Sequence, residues 1–188
     1  MGLRNTETQY GAVAKTAHWL MAFMLVGSFS IGLYMSDLPP SPTRLQLFSY
    51  HKWLGVLAFI VVALRWLWRQ AVAPPPLPAT MRPWEKEAAR ITHRLLYLFL
   101  FAAPLTGWLM SSAKGFQTVL FGKLPIPDLL SKDPPLGEAL EEVHVAVVWL
   151  LLGLIVLHAA AALKHHFIDR DDVLARMTPG IRPPTPKA

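Results

Sequence analysis

The chain of 188 residues has no cysteine, which excludes disulfides, iron–sulfur clusters and thioether-attached haem. Charge is also scarce, at 16% of residues against 53% hydrophobic, and the apolar residues fall into blocks. Acidic residues are fewer than basic ones, 12 against 18. The basic excess carries no interleaved aromatic pattern and no nucleic-acid-binding motif, so no nucleic-acid partner is expected. No internal repeat is obvious. No small-x-small cleavage site follows the first apolar block, which therefore reads as a retained helix and not a signal peptide.

What is present is four apolar blocks, roughly Ala17–Met35, Tyr50–Trp68, Leu95–Ser112 and Val143–Leu163. Each approaches the ~20 residues that span a bilayer. A soluble core of helices apolar all round would need far more chain to cover it. The expected fold class is an all-α membrane protein, a four-transmembrane-helix bundle, with helices at about residues 11–36, 45–69, 84–112 and 139–167. Residues 1–10 are polar and expected to fray, and 179–188 form a proline-rich tail expected to be disordered. A short interfacial helix is expected around Asp171–Met177, and Ser112–Glu142, the longest outer segment, is expected to cap the bundle. Basic residues set the orientation. Thirteen of the 18 Lys and Arg lie on the side that holds both termini, among them Arg4, Lys15, the set from Arg65 to Arg94 and a tail set ending in Lys187. That side is expected to be cytoplasmic and is called inner below; the opposite side is called outer.

Histidine is rare inside membranes and is a common axial ligand of iron. His144, His158 and His165 lie along the fourth block at spacings of 14 and 7 residues. Those spacings return to within ~40° and ~20° of one helix face, and 14 residues rise about 21 Å. His51, at the outer start of the second helix, matches the depth of His144. His18, at the inner start of the first, matches His158. Two depth-matched pairs point to two non-covalent b-type haems with bis-histidine ligation, the outer one on His51 and His144 and the inner one on His18 and His158. His93, near the inner end of the third helix, rivals His18 for the inner iron. Haems ligated on both faces transfer electrons and bind oxygen poorly, so the pair reads as an electron wire across the bilayer. Zinc or copper would want three or four clustered ligands.

Other positions relate to this frame. Gly32 and Gly107 follow His18 and His93 by 14 residues, and a glycine there makes room for a flat ring or for a neighbouring helix. Arg65 follows His51 by 14 residues; it is either a partner for a haem propionate or quinone head group, or an interfacial snorkelling residue. Pro104 is expected to kink the third helix. Lys114 and Lys123 are expected to make the outer mouth positive.

The motifs HWL (His18–Leu20), HKWLG and LRWLWR (His51–Gly55, Leu64–Arg69), THRLLYLFLFAAPLTGW (Thr92–Trp108) and LHAAAALKHHF (Leu157–Phe167) together resemble the bacterial cytochrome b561 family. The resemblance covers a single domain of about residues 8–178. It implies a four-helix, di-haem cytochrome b of the bacterial inner membrane, with His18, His51, His144 and His158 as haem ligands. It also implies electron exchange between the quinone pool and another donor or acceptor. One activity of the family is superoxide oxidation at the outer haem coupled to ubiquinone reduction at the inner end. On that reading Lys52, Lys114 and Lys123 steer superoxide. His165 hydrogen-bonds and protonates the quinone, Arg69 and Lys164 are weaker candidates for the same pocket, and His93 contacts the quinone or a haem propionate. The rival reading is a membrane electron carrier linking a dehydrogenase- or hydrogenase-type protein partner to quinone.

Overall fold

A computed structural model describes residues 2–184. Lys187 and the rest of 185–188, part of the tail expected to be disordered, lie outside the described residues. The chain forms α1 (Ala12–Ser36), α2 (Pro42–Ala71), α3 (Pro83–Ala113), a two-stranded hairpin β1 (Val119–Leu120) and β2 (Leu124–Pro125), α4 (Pro134–Lys164), a π-helical turn (His165–Asp169) and α5 (Val173–Met177). β1 and β2 run antiparallel, with Leu120 facing Leu124. The protein is a four-helix, multi-pass membrane protein: α1, α2, α3 and the span Pro134–Asp169 are each long and apolar enough to cross a bilayer. Their apolar side chains largely point outward, with Phe23 71% and Val156 60% exposed, an arrangement suited to lipid rather than water.

The helix starts are written into the proline-rich loops. α2, α3 and α4 each begin with a proline, whose missing N–H is one of the donors left unpaired at a helix start. Ser41 Oγ accepts from Arg44 N at 3.2 Å, and Asp133 Oδ1 accepts from Leu136 N at 3.2 Å, capping α2 and α4. The Glu85 carboxylate reaches back to Arg82 N at 3.0 Å. These caps extend α2 and α4 upstream of the apolar blocks, so α4 takes in residues 134–138, upstream of its expected start at about 139. α3 runs on through Pro104.

The described chain packs as two compact units, and each long helix contributes a segment to both. One unit comprises residues 20–63 and 99–151. Here the loop between α3 and α4 is tied down by indole donors: Trp53 Nε1 to Val119 O at 2.7 Å and Trp108 Nε1 to Pro127 O at 3.0 Å. Ser112 Oγ accepts from Leu129 N at 3.1 Å. Trp53 thus fastens the hairpin.

The other unit comprises residues 2–19, 64–98 and 152–184. Residues 2–10 are not frayed as expected. Ala12 N donates to Gly2 O, Gly11 N to Asn5 Oδ1 and Asn5 Nδ2 to Ala73 O, at 2.9, 3.0 and 3.0 Å. These bonds hold the segment in place although residues 2–4 and 6–8 stay exposed to solvent. α5 is held by Trp19 Nε1 donating to Met177 O at 3.2 Å and by Arg176 donating to Pro76 O at 2.6 Å.

Candidate functional site

In the unit of residues 20–63 and 99–151, the rings of His51 and His144 lie edge to face with centroids 6.3 Å apart. Each imidazole rests on a helix backbone opened by a glycine. A Cβ on Gly32 would sit 3.2 Å from His51 Cε1, and one on Gly107 would sit 3.1 Å from His144 Cε1, inside ordinary contact distance. The ring that these glycines admit is therefore an imidazole.

The same helix faces supply hydrogen-bond partners. His51 Nδ1 is 3.1 Å from Ser28 O and 3.3 Å from Ser28 Oγ. His144 Nδ1 is 3.0 Å from Thr106 Oγ1, which itself lies 2.9 and 3.0 Å from Ala102 O and Ala103 O. Thr106 gives its hydroxyl proton to a carbonyl, so towards His144 it accepts, and His144 Nδ1–H donates. Both rings then keep a free lone pair on Nε2, the tautomer a metal requires.

In the unit of residues 2–19, 64–98 and 152–184, three imidazoles meet. His18 and His158 have centroids 6.2 Å apart, His93 and His158 5.2 Å. Two metal–imidazole bonds of about 2 Å each, with ~1.1 Å from each nitrogen to its ring centre, place rings sharing one metal about 6 Å apart. The His51–His144 and His18–His158 pairs have that separation, and His93–His158 is about 1 Å short of it. His18 Nδ1 is buried without a hydrogen-bond partner, a donor set that fits an added group. Arg65 and Arg69 both stack on Tyr97, at 5.7 and 5.8 Å. Beside them the Tyr10 phenol is held above its ordinary range by burial, an effect that Arg69, Arg65 and Arg176 oppose.

The expected quinone pocket is divided. Arg69, His93 and Tyr97 line a cavity of about 310 Å³ together with Trp66, Gln70, Arg90 and Arg94. His165 and Lys164 do not line it. His165 is 7% exposed, and its Nδ1 lies 2.6 Å from Asp171 Oδ2 and 3.2 Å from Asp169 Oδ2. Asp171 is fixed in turn by Val173 N at 3.0 Å. Lys164 is consumed by ion pairs to Glu85 and Asp169, at 2.9 and 2.7 Å, and so is withdrawn as a quinone ligand.

The three lysines expected at the outer mouth differ in the same way. Lys114 is ion-paired with Glu141. Lys52 donates to Phe116 O at 2.8 Å and lies over the Phe116 ring. Lys123 is exposed, with no ion pair among the described residues. Sequence reasoning missed Ser28, Thr106, Asp171 and Tyr10. For the first two a signal existed: Ser28 precedes Gly32 by one helical turn, and Thr106 adjoins Gly107.

A family model described as prokaryotic cytochrome b561 matches residues 9–180. Cytochrome b561 homolog 2 of Escherichia coli (strain K12) is 36% identical over 185 residues, covering 94% of this chain and 95% of that protein. The probable superoxide oxidase CybB of Yersinia pestis is 25% identical over 171 residues, covering 91% and 96%. Cytochrome b561 homolog 1 of Escherichia coli (strain K12) is 24% identical over 165 residues, covering 86% and 92%.

Proposed function

The chain belongs to the prokaryotic cytochrome b561 family, and from that premise we propose that it is a di-haem superoxide:ubiquinone oxidoreductase of the bacterial inner membrane, with both termini cytoplasmic. The observation that carries the di-haem reading is the pair of imidazole separations, 6.3 and 6.2 Å. His51 and His144 hold the outer haem, and His18 and His158 hold the inner one. Bound there, the two groups supply one-electron relay across the bilayer. His93 is too close to His158 to share an iron with it and is assigned to the adjoining cavity.

The overall reaction balances simply. Two superoxide anions each lose one electron and leave as dioxygen; one ubiquinone gains both electrons and two protons. At the outer end the chain's own residues attract the anion, with Lys123 the most available charge. At the inner end His165 is the proton donor. With a proton on each ring nitrogen, it donates Nδ1–H to Asp171 and passes the Nε2 proton to a quinone carbonyl. The superoxide assignment is supported by the name of the CybB relative at 25% identity.

A second reading, a carrier that takes electrons from a protein partner, is favoured by one observation. The loop after α3 exposes Phe116, Phe121 and Leu124 at 63%, 57% and 57%, an apolar patch of the kind that docks proteins. Stopped-flow absorbance of the oxidised protein after a superoxide pulse separates the two. Near-diffusion-limited haem reduction, reversed only when ubiquinone is present, supports the oxidoreductase. Slow reduction in a sample holding two haems per chain leaves the carrier, and a co-purifying second polypeptide then identifies its partner.

A further inference from the structure

The amino-terminal segment closes over the first turn of α1 and leaves a cavity of about 320 Å³ there, with Arg4, Gln9, Tyr10 and Lys15 in its wall. Glycine makes the closure possible. A Cβ at Gly11 would meet Arg4 C and Arg4 O at 2.5 Å, far inside contact distance. Two cations therefore share one small space. Lys15 is 6% exposed. Among the described residues neither its ammonium nor the Arg4 guanidinium has an ion pair or a hydrogen bond. Glu7, the acid of this segment, is exposed and does not line the cavity. The first turn of α1 holds no acid either. A buried ammonium without a partner is costly, and the start of a helix is the positive end of its macrodipole. Burial, the neighbouring guanidinium and the dipole all act against Lys15, and an anion in the cavity would offset all three.

We propose that this cavity is a headgroup site for an anionic glycerophospholipid, whose phosphate is held between Lys15 and Arg4. The position of the cavity names the source of the phosphate. α1 is long and apolar enough to span a bilayer, so its first turn lies at the depth of the phosphates of one leaflet. Arg4 presents the planar fork that matches two phosphate oxygens, and Lys15 supplies a point charge beneath it. Burial holds the Tyr10 phenol above its ordinary range, so it keeps its proton and donates. The cavity is at the small end for a ligand. It takes the headgroup alone, and the acyl chains run outside it. Leu3, Leu20 and Phe23, at 70%, 47% and 71% exposure, offer them an apolar surface. A zwitterionic headgroup suits the site less, because its own ammonium would meet two cations.

The test is native mass spectrometry of the purified full-length holoprotein in detergent, titrated with phosphatidylglycerol, phosphatidylcholine or inorganic phosphate. One spectrum reads bound lipid and bound haem together. The wild type holds one phosphatidylglycerol at concentrations where phosphatidylcholine does not bind. Arg4→Gln, at an exposed position, weakens that binding about tenfold, and Lys15→Gln weakens it more. Arg82→Gln, at an exposed cation outside the cavity, leaves it unchanged. Should Lys15→Gln fail to fold, Arg4→Gln and the charge reversal Arg4→Glu read the same site. The proposal is overturned if Arg4→Gln and Lys15→Gln bind phosphatidylglycerol as the wild type does, or if phosphatidylcholine binds equally well. Inorganic phosphate that saturates the site while phosphatidylglycerol does not overturns the lipid and identifies a soluble phosphate compound. Loss of haem in both variants with the lipid retained overturns it too, and gives the cavity to a haem carboxylate.

Discussion

The outer and inner histidine pairs differ in how their rings are held. Each outer ring lies on its own helix face, admitted by one glycine and oriented by one oxygen: Gly32 and Ser28 for His51, Gly107 and Thr106 for His144. Among the described residues the inner pair has no such cradle. His18 and His158 share their surroundings with a third imidazole and with two arginines stacked on Tyr97. A cofactor can thus be selected by one distance, repeated at 6.3 and 6.2 Å, while the environment of each ring decides what the bound group does. The outer environment is hydrogen-bonded, with an oxygen 3.1 Å from His51 Nδ1 and 3.0 Å from His144 Nδ1. The inner environment is cationic and adjoins a cavity of about 310 Å³ lined by Arg69, His93 and Tyr97.

Removing a ligand breaks this comparison most completely. His144→Ala and His158→Ala are each expected to lower haem content from two per chain to one, read by haem extraction against protein mass. His93→Ala is expected to leave two. A loss of haem in His93→Ala, with retention in His18→Ala, would exchange their roles.

The next largest effect comes from the cradle. A methyl at Gly107 meets His144 at 3.1 Å, and interiors this well packed accommodate such overlap only by moving the ring. Gly107→Ala is expected to deplete the outer haem several-fold and leave the inner one in place. Gly55→Ala, where a Cβ meets nothing within 4 Å, is the control and is expected to change neither.

These two sets of residues were not equally legible in the sequence. The four helices and the two histidine depths follow from block length and the 14-residue spacing, because helical rise and turn convert sequence separation into depth and direction. Depth favours His18 over His93 for the inner iron, because it matches that of His158, and the ring separations, 6.2 against 5.2 Å, bear on the same choice. Residues 2–10 look like a frayed tail by composition, yet Asn5 and Gly11 close them on each other. Lys164 and Lys114 read as free cations because their partners, Glu85 and Glu141, are 79 and 27 residues away. Asp171 was invisible as a partner of His165 because an α-helix would carry it away. The π-helical turn and the left-handed Arg170 at φ 56° bring it back.

The inner contrast between the His165–Asp171 pair and the Arg69 cavity is sharpened by a smaller effect. General acids contribute typically 10²–10⁴-fold. Loss of the residue that orients one forfeits part of that, so Asp171→Asn is expected to slow haem reoxidation by ubiquinone about tenfold. Haem content and both potentials should hold. Arg69→Gln, with the same readout, is expected to change the rate less. The reverse order would move the quinone head group to the cavity beside His93.

The smallest effect lies at the outer mouth. A steering charge acts through long-range attraction, screened over about 8 Å at physiological ionic strength. Lys123→Gln is expected to slow haem reduction by superoxide by less than about threefold at low salt, and the difference should vanish as salt is added. Lys114→Gln is expected to do less still, because Glu141 already cancels its charge at close range. The double-charge change Lys114→Gln with Glu141→Gln tests that cancellation directly: it should match the wild type in rate, since it removes one charge of each sign. A rate that instead rises in the double variant would mean that the Glu141 carboxylate repels the substrate more than Lys114 attracts it, and that the mouth is tuned by its acid and not by its lysines.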